Sequence, residues 1–368
     1  MARQPTDLAD PRLPLLIAAC ESGMKALLKT ERAEVFFFAA NGHGGWEAVI
    51  ANLVAPGTVV LIPGTGHFSN NWAEQVEAFG GEAVRTPFVE GFPIDPAALE
   101  AALRDDTAHR IGAIFVVHTD TASGTTCDLA ALRRAIDAAA HPALFVVDVV
   151  ASLGAAPFAM DELGVNVAIG ASQKGLMLQP GLAFVAADER AMAMARANPA
   201  PRFYWDWARR VSDHSYRKFC GTPPLAHLAG LEAALGLIDQ EGLSQVHARH
   251  TRLAKAVHAA VAHWGEGGAL RLFTQVAAAR SVSVTAVEVS PGIDPEALRS
   301  VARERFQVAI AGGLGPLGGR VFRIGHLGDV NEAMILGCLG GVEAALQVQG
   351  IAHQRGGVEA AIATFTRE

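Results

Sequence analysis

The stretch Phe145-Val-Val-Asp-Val-Val-Ala-Ser-Leu-Gly154 decides how the rest of the chain is read. It opens with bulky, mostly β-branched residues that show no polar alternation, the pattern of a strand buried on both faces. The run reaches a carboxylate at Asp148. A carboxylate there is costly to bury unless a cation or a hydrogen-bond donor meets it. At the carboxyl end of a parallel strand it would face the crevice in which α/β sheets bind ligands. Read alone, Asp148 is equally well explained as a helix cap or an exposed loop acid.

Similar apolar runs flank this one. Strands are predicted at residues 35–39, 59–62, 83–85, 113–118, 143–148, 167–170 and 182–185, with Ala-rich amphipathic helices between them at 46–53, 71–79, 96–103 and 129–140. That rhythm predicts an α/β fold with a mainly parallel seven-stranded sheet covered by helices. After about residue 240 the texture changes. A long helix over 244–264 precedes residues 282–289, which alternate like a half-exposed strand. A helix at 295–305, a glycine-rich turn at 312–319, a strand at 321–325 and closing helices complete a smaller C-terminal α+β domain. The expected division is an N-terminal arm at 1–20, a large domain at 21–243 and a small domain at 244–368.

Composition narrows the function classes. The chain has 368 residues, 51% of them apolar and 18% charged, which excludes a disordered chain. A net charge of −7 speaks against a general polyanion binder, although a local phosphate site remains compatible with it. The opening residues do not form a signal peptide, and the apolar run at 13–20 is too short to span a bilayer. The expectation is a soluble, cytoplasmic protein that binds neither membrane nor nucleic acid. Cys20, Cys127, Cys220 and Cys338 show neither a zinc spacing nor a disulfide framework. His247, His250 and His258 could share a helical face, but they lack evident acid or cysteine partners, so a solvated or interface face is preferred over a metal site. The aromatic and basic stretch at 201–210 reads as a lid or subunit-interface loop.

Three other places carry chemistry. In Ala40-Asn-Gly-His-Gly-Gly-Trp-Glu47 a strand gives way to glycines and then a helix. Such a turn can cradle a phosphate on backbone N–H groups, and it can also be an ordinary strand–helix connection. Lys174, in Gly170-Ala-Ser-Gln-Lys-Gly175, lies 26 residues past Asp148 and just after the next strand. A buried lysine has a lowered pKa and can serve as a nucleophile; a loop lysine simply reaches water. Arg323 sits inside the strand Val321-Phe-Arg-Ile-Gly325, suited to bidentate capture of a carboxylate or else facing outward. Together, a lysine, a strand-end acid and a phosphate cradle are the three parts that pyridoxal phosphate requires.

With these pieces the sequence resembles the class V aminotransferases of the fold-type I pyridoxal-phosphate enzymes, in particular the serine–glyoxylate and alanine–glyoxylate aminotransferase group. The resemblance runs from about residue 20 to the C-terminus. It rests on Asn41-Gly-His-Gly-Gly-Trp-Glu-Ala48, Asp148-Val-Val-Ala-Ser-Leu-Gly154, Gly170-Ala-Ser-Gln-Lys-Gly175, Gly312-Gly-Leu-Gly-Pro316 and Phe322-Arg-Ile-Gly-His-Leu-Gly328. It implies that Asn41, Gly42, His43 and Gln173 contact the phosphate of pyridoxal 5'-phosphate. Phe68 would stack on its ring, Thr121 would lie beside it and Val150 would pack beneath it. Asp148 would pair with the ring nitrogen, and Lys174 would hold the cofactor covalently and move protons. Arg323 would bind the substrate carboxylate. Thr222 would reach the phosphate of a neighbouring subunit in a homodimer with active sites at its interface. Phe219 takes a position often held by tyrosine.

Relatives begin with a Gly-Pro-containing segment that passes near the substrate, and this sequence begins after it. The implied reaction moves the amino group of serine, alanine or aspartate to glyoxylate or a similar small 2-oxo acid. The alternatives are a pyridoxamine–pyruvate transaminase on the same scaffold and a non-catalytic binding protein. A cysteine desulfurase needs a nucleophilic cysteine on a late mobile loop; after Cys220 there is only Cys338, in a predicted helix.

Overall fold

The run that ends on Asp148 is a strand in the middle of a seven-stranded sheet. In this computed structural model, which describes residues 7–367, the strands in chain order are β1 (Glu34–Phe38), β2 (Val59–Ile62), β3 (Glu82–Arg85), β4 (Ile111–Val117), the short hairpin β5 (Thr119–Asp120) and β6 (Thr125–Thr126), β7 (Leu144–Asp148), β8 (Val167–Ala171) and β9 (Ala183–Ala187). The spatial order of the large sheet is β1-β9-β8-β7-β4-β2-β3. Strands β3, β2, β4, β7 and β8 pair in parallel. Strand β9 runs antiparallel to both β8 and β1.

Alternation along these strands divides the core into two layers. Phe145 and Val147 of β7 join one apolar cluster, and Leu144 and Val146 join the other. Both faces are covered, which is why the strands read as unbroken apolar runs. The same period of two puts Asp148 on the face of Leu144 and Val146, toward the helix α2 (Gly42–Leu53).

Before the sheet comes α1 (Arg12–Leu28), and after β2 comes α3 (His67–Ala78). Helix α1 runs unbroken through residue 20, where an arm was expected to end, and it buries Leu13, Ile17 and Cys20. Residues 1–6 of that expected arm lie outside the described residues. Helices α2 and α3 begin four residues earlier than the apolar pattern predicted, because their first turns are polar and glycine-rich. Helix α2 lies so close to the sheet that a Cβ on Gly45 would sit 2.9 Å from Ile169 Cγ2.

The later part of the chain forms a second sheet from β10 (Leu270–Leu272), β11 (Val284–Val289), β12 (Ala311–Gly312) and β13 (Val321–Gly325), ordered β10-β11-β13-β12 and antiparallel throughout. The helix Leu243–Gly265 joins the two parts: Val246 belongs to the large-sheet core, whereas Leu253–Trp264 packs in the second core. The expectation of a half-exposed strand at 282–289 fails here. Val287 and Val289 face the small core, while Ala286 packs with Ala122 of the large part, and Thr285 is buried with a hydrogen bond to His326. Its second face is covered by protein, so the polar residues of the alternation meet partners in place of water. No helix among the described residues is long and apolar enough to cross a membrane.

Candidate active site

At the carboxyl ends of β4, β7 and β8 lies a cavity of about 220 Å³. One end of it is built by the first turn of α2. Asn41 is the N-cap, with its Oδ1 accepting from the Gly44 N–H at 3.2 Å. The amides of the turn lie at the positive end of the helix dipole, where an anion is favoured. Gly42 and His43 line the cavity with Asn41, and a Cβ on Gly42 would come within 3.2 Å of Val150 Cγ2. Gln173 lines the same space, and its amide oxygen is buried with no hydrogen-bond partner among the described residues.

Asp148 is almost fully buried. Its Oδ1 accepts the Val150 N–H at 2.6 Å, and its Oδ2 accepts the Trp46 indole N–H at 3.0 Å. Burial pushes the carboxyl up to about 7; the two donors and nearby Lys174 oppose that shift, and Asp120 adds to it. Lys174 is held below the ordinary lysine range, first by burial and then by the positive charge of Arg323, with Asp148 acting in the other direction. The lysine sits on a tight turn in which Met177 N–H bonds to the Lys174 carbonyl at 2.9 Å.

Phe68, on the first turn of α3, forms an aromatic wall. It meets Trp46 edge-on at 6.3 Å, and Trp46 stacks in turn on Trp72 at 5.2 Å. Thr121 and Val150 complete the lining among the expected residues. Arg323 arrives from the second sheet. Its Nη1 donates to the Thr121 carbonyl and its Nε to the Gly312 carbonyl, both at 2.7 Å. Half-buried, it loses some of its preference for the proton, while Asp120 supports its charge.

Nine of the residues expected at the site thus border one cavity, and Arg323 touches it through Thr121. Thr222 does not border it: it is exposed on a turn that follows Cys220 and Gly221, both with positive φ. Phe219 is buried against Phe37, with parallel rings 6.5 Å apart. Sequence reasoning gave no role to Trp46, Thr119 or Asp120. Trp46 carried a usable signal, because it lies one helical turn from Gly42 and so shares the face that borders the cavity.

The histidine expectation is corrected as well. His250 is buried, and its Nε2 accepts the Gly328 N–H at 3.0 Å; His258 packs against His326 at 6.2 Å. His250 is thus turned inward, while His247 and His258 are half-buried. No group of three or more histidine, cysteine, aspartate or glutamate residues among the described ones is placed to hold a metal ion.

A sheet of this order, with an acid ending one central strand and a lysine following the next, defines the fold-type I architecture of pyridoxal-phosphate enzymes. Residues 12–317 match the family described as aminotransferase class-V. The chain is 41% identical to the L-aspartate–glyoxylate aminotransferase of Paracoccus denitrificans, over 92% of this chain and 85% of that protein. It is 37% identical to the serine–glyoxylate aminotransferase of Methylorubrum extorquens, over 100% and 92%. Among solved structures, the pyridoxamine–pyruvate aminotransferase of Mesorhizobium loti superposes with a TM-score of 0.90 at 28% identity, covering 99% of this chain and 92% of that one. The chain belongs to the class V aminotransferase family, whose cofactor is pyridoxal 5'-phosphate.

Proposed function

We propose that this protein is a transaminase that moves the amino group of a small L-amino acid (serine, alanine or aspartate) to glyoxylate or a similar small 2-oxo acid. The observation that carries the reading is the convergence of Asp148, Lys174 and the N-terminus of α2 on one cavity, with Arg323 at its edge. The glyoxylate acceptor is supported by the names of relatives that align over nearly the whole chain.

The cavity fits pyridoxal phosphate on its own features. Asp148 is a buried carboxyl with room for a further donor, and a cationic ring nitrogen would favour its charged form. The first amides of α2 offer hydrogen bonds to a phosphate, and Gln173 borders the same space. The close approach of Gly42 to Val150 leaves little space for a side chain in the cradle. Phe68 supplies a flat wall. When bound, the cofactor supplies a ring that accepts negative charge from the substrate α-carbon.

In this reading Lys174 Nζ would hold the cofactor until an amino acid binds. The Lys174 amine, with its pKa lowered by burial and Arg323, would take the proton from the substrate α-carbon, hold it at Nζ and return it on the far side of the amino nitrogen. Asp148 would hold a proton on the ring nitrogen. Arg323 binds the substrate carboxylate, its planar fork already oriented by the Gly312 and Thr121 carbonyls. The two half-reactions use the same lysine in ping-pong order.

We take the protein to be a cytoplasmic homodimer with a division near residue 243, where Gly242 with φ +84° separates two helices. Exposed Phe203, Val211 and Tyr216 on the segment leading to Thr222 support a partner surface there. A screen of serine, alanine and aspartate against glyoxylate and pyruvate, with product amino acids separated and quantified, tests the activity. Protein that binds pyridoxal phosphate yet turns over none of these pairs would sink the proposal.

A further inference from the structure

Asp120 is fully buried, yet it does not border the cavity. Its Oδ2 accepts the Phe68 N–H at 3.0 Å and the Thr65 hydroxyl at 3.2 Å, while its Oδ1 accepts the Ala122 N–H at 2.9 Å. Burial raises its pKa, and these donors act against that rise. The Phe68 amide belongs to the first turn of α3, whose N-cap position is Gly66 with φ +126°. A glycine has no side chain with which to cap a helix. The carboxylate that does so comes from a residue 52 positions later in the chain. An acid in this place satisfies an orphan amide and complements the helix dipole.

The other half of the carboxylate fixes the chain just past Thr121. Ala122 N–H is bound to Oδ1, and the Thr121 carbonyl between them accepts from Arg323 Nη1. Asp120 also supports the positive charge of Arg323. One buried group therefore holds the aromatic wall on one side of the cavity and the seat of the arginine on the other. Thr65, on the loop before α3, adds its hydroxyl to the same oxygen that Phe68 uses.

We propose that Asp120 is a positioning residue that sets the spacing between Phe68 and Arg323, and so governs both cofactor affinity and capture of the substrate carboxylate. This rests on the reading of Phe68 as the ring contact and Arg323 as the carboxylate contact. Asp120→Asn keeps the volume but turns an NH2 toward one of the amide donors. Losing one hydrogen bond to a charged group predicts roughly tenfold weaker binding of pyridoxal phosphate to the apoprotein. Tryptophan fluorescence quenching during titration with pyridoxal phosphate reads that affinity.

The KM for the amino donor should rise several-fold more than kcat falls. Asp128→Ala serves as the comparison, because Asp128 caps the helix Leu129–Ala138 and lines no part of the cavity. It should lower the unfolding temperature while leaving affinity and KM unchanged. If Asp120→Asn behaves in the same way, with only its unfolding temperature reduced, the proposal is overturned. Should Asp120→Asn fail to fold, Thr65→Val decides. That variant removes one donor and keeps the carboxylate, and the expectation is roughly two- to threefold weaker cofactor binding. Unchanged affinity in Thr65→Val would then overturn the proposal. Wild-type protein that binds no pyridoxal phosphate would overturn the reading of the cavity itself, and this inference with it.

Discussion

The rim of the large sheet and the interior of the small domain both bury ionisable groups, and they treat them in opposite ways. At the rim, Asp148 and Lys174 are pushed toward neutrality by burial, but each acts on the other in the opposite direction, and both border open space. In the small domain, burial brings His326 down to about 3 and His258 to about 4. His326 Nδ1 meets the Val282 carbonyl and its Nε2 the Thr285 hydroxyl, so both ring nitrogens have partners. The histidines are settled as neutral packing groups, whereas the rim groups are left adjustable. A perturbed pKa alone therefore does not locate the chemistry; a perturbed group that faces a cavity and an opposing charge does.

The strongest way to break this comparison is Lys174→Ala. Transamination should fall by roughly four orders of magnitude, the upper range for loss of a positioned acid–base group, while unfolding temperature stays near that of the wild type. Near-normal turnover would mean that the rim is no more reactive than the small domain. Asp148→Asn should cost roughly two to three orders of magnitude in kcat/KM, as expected for loss of a preorganised charge at the reacting centre. An equal loss of stability with intact kinetics would recast Asp148 as a packing group.

The pH dependence of folding sharpens the other side. His258 and His326 have folded pKa values below the ordinary 6.5, so their contribution is complete above that pH. It is lost as pH falls from 6.5 toward 4 and 3. For His258 alone the loss is on the order of 3 kcal/mol, or roughly a hundredfold in the folding equilibrium. Thermal unfolding followed from pH 7.5 to 4 should show it, and replacing His258 with glutamine should flatten the slope. A wild-type curve that is level across this range would break the assignment of buried neutral histidines. The smallest effect belongs to Trp46→Phe. An aromatic ring is kept, although a smaller one, and the donor to Asp148 is lost, so kcat/KM should fall roughly tenfold. An unchanged rate would show that Val150 N–H suffices to hold the acid.

Much of this molecule was legible in its sequence, and the limits have physical causes. The strands of the large sheet stood out because burial on both faces leaves no polar alternation. Asp148 and Lys174 stood out because charges at the ends of such runs are rare. The direction of β9 was not legible, since a strand buried on both faces reads alike whichever way it points. The strand 282–289 misled because Thr285 looks solvent-facing until His326 is placed beside it. Trp46 and Asp120 were passed over for a related reason. Their partners lie 102 and 52 residues away, respectively, and no local pattern announces such pairs.

The place of β1 bears on how the protein is made. This strand, with its three consecutive phenylalanines, pairs only with β9, nearly 150 residues later in the chain. On a ribosome adding about 10 residues per second, it emerges roughly 15 seconds before its partner exists. The turn at Asn41 hangs from the end of β1, so this corner of the cavity takes shape only after β9 is made. Until then an apolar strand waits uncovered, and it is the segment for which a chaperone would compete.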